Sequence, residues 1–89
     1  MHNKADKTKQ YMDPKDPTIN RILESKLREI YQARYQKAEI QSIMQYPMKE
    51  NQYIVIYNIN ITDSYPIIRA KIVVDTATEE LKLYDPGLL

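Results

Sequence analysis

Three carboxylates crowd one short stretch of the chain, Asp75, Glu79 and Glu80, and Asp63 stands near another turn. Carboxylates close together supply oxygen ligands for a hard cation, and a converging pair can share general acid and base work. The stretch lacks the spaced acidic ladder and the glycine of a calcium loop, so a solvated turn is the simpler reading. Other catalytic partners are missing. The only histidine, His2, falls in the polar stretch MHNKADKTKQ, which has no core to hold an imidazole against a nucleophile. Cysteine is absent, which removes a thiolate nucleophile, a thiolate metal site and a disulfide framework together. Gly87 is the only glycine, so no glycine-rich loop cradles phosphates. The chain reads as no enzyme, with no catalytic residue, no cofactor and no metal ligand set.

Tyrosine carries what remains. There are eight Tyr with no Phe and no Trp, so every large aromatic ring brings a hydroxyl suited to a half-buried, half-wet position. Tyr53 and Tyr57 stand at strand spacing, the arrangement of a base-stacking platform for single-stranded nucleic acid. Residues 38–89 hold four basic and seven acidic side chains, a balance that repels a phosphate backbone. Rings packed beneath a helix are therefore the better reading, and no nucleic acid is expected. Asn60-Ile61-Thr62 matches a glycosylation acceptor, but it falls inside an apolar alternating run, where a chance match is the simplest account.

The elements that position these residues follow from periodicity. Residues 1–15 offer only Tyr11 and Met12 as sizeable apolar side chains and read as a flexible arm. Asp16-Pro17 is a helix start, with Asp16 as N-cap and Pro17 at the first helical position. Ile19, Ile22, Leu23, Leu27, Ile30 and Tyr31 then share one face with Ala33, and the spacing predicts a helix to about Gln36. From Ala38 the period moves toward 2. Ala38, Ile40, Met44 and Tyr46 fall on one side and Ile43 falls out of phase, which calls for a bulge or a second covered face. Pro47 to Asn51 is a turn. Tyr53, Val55, Tyr57, Ile59 and Ile61 then point one way, with Ile54, Ile56, Asn58 and Asn60 opposite. Thr62 to Pro66 reverses the chain into IIRAKIVV, and Asp75 to Thr78 turns it into EELKLYD. The expected fold is α+β: one N-terminal helix packed on a four-stranded antiparallel β-meander, in the order α-β-β-β-β, with the domain over residues 16–86 and a tail over 87–89.

The whole chain has 89 residues, 43% of them hydrophobic, and a formal charge of +1, which suits one small globular domain and gives no electrostatic reason for an anionic partner. The charge is uneven: residues 17–37 hold five basic and two acidic side chains, so a basic helix faces an acidic sheet, a dipole that suits self-association. No apolar run reaches the ~18 residues of a membrane span. A Lys-rich start of this kind fits a secreted protein or lipoprotein whose export signal has been removed, so an extracytoplasmic location is favoured over a cytoplasmic one.

The final hairpin resembles the closing element of PepSY-type domains, in which a strand ends in Val-Asp, a short turn follows and a second strand begins. Here those pieces are Val74-Asp75, then Thr76-Ala77-Thr78-Glu79, then Glu80-Leu81-Lys82-Leu83, with Glu79 where such domains usually place glycine. The order of a helix followed by a meander is also similar to the cystatin-like class. The resemblance implies a small extracytoplasmic bacterial domain, often lipid-anchored or attached to a larger protein, that binds or inhibits and does not catalyse.

One helix covers one face of a sheet. If it lies on Tyr53, Val55, Tyr57, Ile59 and Ile61, the apolar residues opposite need other cover, because several aliphatic side chains left in water forfeit several kcal/mol at ~25 cal/mol per Å². The expected function is thus a non-enzymatic interaction module that self-associates, as a homodimer, and contacts a partner protein through the second sheet face or a strand edge, with Ile54, Ile56, Ile67, Tyr84 and Arg28 as interaction residues. The exposed Ile54 and Ile56 end is the first place to look. The alternative is a small apolar-ligand carrier whose site lies between helix and sheet, lined by Tyr31, Tyr53, Tyr57 and Met44.

Overall fold

A computed structural model describes residues 11–62 and 67–84. The fold is α+β, with one helix on an antiparallel sheet, but the sheet has five strands where the sequence predicts four. The chain runs β1 (Tyr11–Met12), α1 (Pro17–Tyr31), a 3₁₀ turn (Gln32–Arg34), β2 (Tyr35–Gln45), β3 (Gln52–Ile61), β4 (Ile68–Asp75) and β5 (Glu80–Lys82), and the strands lie side by side in that order. The extra strand is β1. Tyr11 pairs with Met44 and Met12 with Ile43, so two residues of the expected arm belong to the sheet. Met12 packs on the core beside its partner, the burial that offsets its ordering. Residues 1–10 of the expected arm, Asp63 to Pro66 of the expected reversal and the expected tail over 87–89 lie outside the described residues.

Helix α1 starts as its sequence dictates. Asp16 Oδ2 accepts from the Ile19 N–H at 3.0 Å and Pro17 occupies the first turn. Ile19, Ile22, Leu23 and Leu27 are buried, a stripe each of whose members contributes roughly 2 kcal/mol by leaving water. The helix stops five residues short of the expected Gln36. Gln32 takes φ 53°, a left-handed conformation that halts a helix, and its N–H closes the last turn on the Arg28 carbonyl. Ala33 is therefore exposed in the 3₁₀ turn, and Ile30, the last aliphatic position of the stripe, is 61% exposed.

The helix lies on the face of β3 that carries Val55, Tyr57, Ile59 and Ile61, and these join Ile40, Ile43, Val74 and the helix stripe in one core. Residue Ile43 is in phase after all. The β2–β3 register shifts between Ile40 and Ser42, so Gln41 is a bulge that turns the strand by one residue and delivers Ile40 and Ile43 to the same face. A second shift between Tyr35 and Lys37 does the same for Tyr35 and Ala38, both partly buried against the core. The β3–β4 ladder, from Gln52 opposite Asp75 to Ile59 opposite Ile68, is regular.

Candidate interaction surface

The turn that joins β4 to β5 gathers the carboxylates, and each has its own structural use. Asp75 Oδ1 accepts from the N–H groups of Ala77 at 2.9 Å and Thr78 at 3.1 Å. Its Oδ2 takes the Gln52 amide at 3.2 Å, and Lys82 Nζ stands 3.8 Å away. The bond from Thr78 is the first cause that holds its pKa below the usual carboxylate range, helped by Ala77, Gln52 and Lys82 against the opposing pull of burial. Glu79 turns away to meet helix residue Arg21 in a two-point clamp, at 3.2 and 2.9 Å, and that hydrogen bond lowers its pKa. Glu80 is exposed. Among the described residues no three of His, Cys, Asp or Glu converge on a metal-sized site.

Tyr53 and Tyr57 lie under the helix. Tyr57 is buried in the core, and burial followed by the neighbouring Tyr31 raises its pKa; Tyr53 packs beside it. The face that a base-stacking platform needs is therefore occupied by α1. The four residues expected to line a ligand gap do not share one either. Met44 pairs with Ile54 and sits on the opposite face, against a different cluster.

That cluster changes the reading of the second face. Tyr46, Ile54 and Val73 are buried there, with Met44 and Tyr84 packed against them. The Tyr46 and Tyr84 rings lie 6.0 Å apart at 53°, a tilted pair, and Lys71 Nζ stands 4.8 Å above the Tyr84 ring. Ile54, expected to be exposed, is only 5% accessible. Its cover comes from within the chain, supplied by a tyrosine just after β2 and one just after β5. Ile56 is half-buried in the next row, between Ser42 and Lys71. Beyond it the rows are polar: Glu39, Asn58 and Arg69, then Lys37 and Asn60.

The remaining expected site residues do not gather in one place. Arg28 lies on the helix, where it pairs with Glu24 at 2.8 Å and stacks over Tyr35 at 4.8 Å. Ile67 stands at the start of β4 and is 56% exposed. Ile68, 41% exposed, and Leu83, 88% exposed, expected to need cover but not set among the interaction residues, stand with it. These three surround a sheet margin. β5 pairs with β4 only from Val73 to Asp75, so among the described residues the outer edge of β4 from Ile68 to Ile72 is unpaired. The signal was available in the sequence: the alternating stretch Glu80–Leu83 is shorter than IIRAKIVV and cannot cover its whole length.

No family model matches the chain, and comparisons with curated proteins and with solved structures return no match.

Proposed function

We propose that this chain is a non-enzymatic interaction module that holds a partner protein along the open margin of β4. The observation that carries this reading is the conjunction of a five-residue strand edge, unpaired among the described residues, with exposed Ile67 and Ile68 at its head. Unpaired N–H and C=O groups supply affinity to any extended chain laid beside them, and neighbouring apolar side chains supply area. The second face is the weaker candidate. Its apolar end is closed by Tyr46 and Tyr84, and its far end is polar. With Ile54 covered inside one chain, the need for a second copy as cover is also reduced.

The PepSY-type reading belongs to the same proposal. What supports it is the backbone of the last turn: Glu79 takes φ 59°, a conformation that glycine adopts without steric cost. A small domain of that kind acts by binding, as the β4 margin does here.

Panning the purified chain against a displayed library of random extended peptides tests the proposal. Binders are expected, and substituting Ile67→Asp together with Ile68→Asp, both exposed positions, is expected to weaken them about tenfold or more. Binders indifferent to that change, or none, would overturn the reading.

A further inference from the structure

The charge pattern on β4 narrows what the margin accepts, and this step rests on the interaction-module reading above. Arg69 and Lys71 are exposed and point to the face away from the helix, opposite Asn58 and Ile56 of β3. Among the described residues neither forms an ion pair, and the Lys71 ammonium is met only by the face of Tyr84. On the helix side the same five residues present Ile68, Ala70 and Ile72. Toward β5, off β4 itself, lies a shallow groove lined by Lys26, Glu29, Ile30, Glu80 and Leu81. The edge therefore offers alternate basic and apolar positions to whatever lies beside it.

A second copy of this chain is a poor occupant. When two β4 edges meet antiparallel about a two-fold axis, facing residues share a side of the sheet. An axis at Ala70 sets Arg69 against Lys71; an axis at Arg69 or at Lys71 sets that residue against itself. These three registers put like charges directly opposite one another, which destabilises cross-strand pairing; an axis at Ile68 or Ile72 avoids the clash but pairs, within the open described stretch, only Ile67 to Arg69 or Ile72 alone. The β2 edge of a second copy fits no better, because its bulges at Gln36 and Gln41 break the flat ladder a new strand needs.

We propose that the β4 margin takes an extended acidic peptide from a partner protein, with Asp or Glu at alternate positions facing Arg69 and Lys71, and apolar side chains between them lying beside Ile68, Ala70 and Ile72. Backbone bonds along the edge hold any extended chain; the two basic side chains select an acidic one. The regular β3–β4 ladder gives the flat template this requires, in contrast to the bulged β2.

The test uses the full chain and three fluorescent peptides of about eight residues, in which valine alternates with glutamate, with lysine or with threonine; at ~3.3 Å per residue each spans the open edge. Anisotropy titrations at low salt should rank glutamate above threonine above lysine, with glutamate about fivefold tighter than threonine. Reversing the two charges with Arg69→Glu and Lys71→Glu should invert the order of glutamate and lysine, and amide hydrogen exchange in β4 should slow on binding. Equal binding of the glutamate and threonine peptides would overturn the acidic preference and leave the edge reading standing. No binding by any of the three, with β4 exchange unchanged, would overturn both. Peptide binding only by a chain shortened after Tyr84 would give the edge to residues 85–89 and overturn the proposal. So would a concentration-dependent dimer that protects β4 with no peptide present.

Discussion

The two faces of this sheet solve the same problem by different means. On one, a fifteen-residue helix lays Ile19, Ile22, Leu23 and Leu27 across three strands and buries a continuous core. On the other, two tyrosines from the ends of β2 and β5 fold over Ile54 and Val73, Ile56 is half-buried in the next row, and the rows beyond it are polar. An apolar strand face does not by itself announce a partner. A pair of amphipathic rings, each carrying a hydroxyl, closes less of a face than a helix does but needs no further element. What stays open among the described residues is the margin, where β5 is too short to follow β4.

Truncation beneath the helix should separate the faces most strongly. Leu23 is 2% accessible and has no way to be replaced by a neighbour, so Leu23→Ala is expected to cost about 2–5 kcal/mol in urea unfolding. Truncation at Tyr84 should cost less, about 1–2 kcal/mol, the sum of a tilted aromatic pair and a partly exposed cation–π contact. It should also raise the binding of a hydrophobic dye by uncovering Ile54 and Val73. If Tyr84→Ala proves as damaging as Leu23→Ala, the two faces are one cooperative core and the contrast fails.

The sequence made the membership of each β3 face legible, but neither which face the helix takes nor what covers the other, and the reason is physical. Strict alternation in β3 assigns Tyr53, Val55, Tyr57, Ile59 and Ile61 to one side from the spacing alone, and Asp16-Pro17 marks the helix start. The bulge at Gln41 was visible only as an alternative, since a shift of one residue is a property of the pairing and not of either strand. Helix length was overestimated because Gln32 has no composition signal for φ 53°. The cover over Ile54 was missed because Tyr46 and Tyr84 are thirty-eight residues apart in the chain and meet only through a register set by β3 and β4.

The turn that ties the faces together gives the next effect. Glu79 accepts a left-handed backbone and returns a clamp to Arg21 on the helix. Glu79→Ala and Glu79→Gly both lose the clamp, and only glycine escapes the backbone cost. The glycine variant should therefore melt higher than the alanine variant, by roughly 4–8 °C. Equal melting of the two would mean that the turn relaxes out of φ > 0 once the carboxylate is gone.

Acid should act on the same turn most gently. The carboxyls of Asp75 and Glu79 both have folded pKa values below their ordinary 3.8 and 4.5, Asp75 first through the Thr78 N–H and Glu79 first through Arg21. A carboxylate whose pKa is depressed by folding contributes stability that is present above its unfolded pKa and is lost as pH falls through the folded one. Stability is thus expected to be level from neutral pH down to about pH 5 and to decline below about pH 4. Asp75→Asn keeps one acceptor for the Ala77 and Thr78 N–H groups but loses the charge, so it should flatten that decline while lowering the neutral-pH plateau. A decline that Asp75→Asn leaves as steep as before would place the acid sensitivity elsewhere than in the Asp75 bonds of this turn.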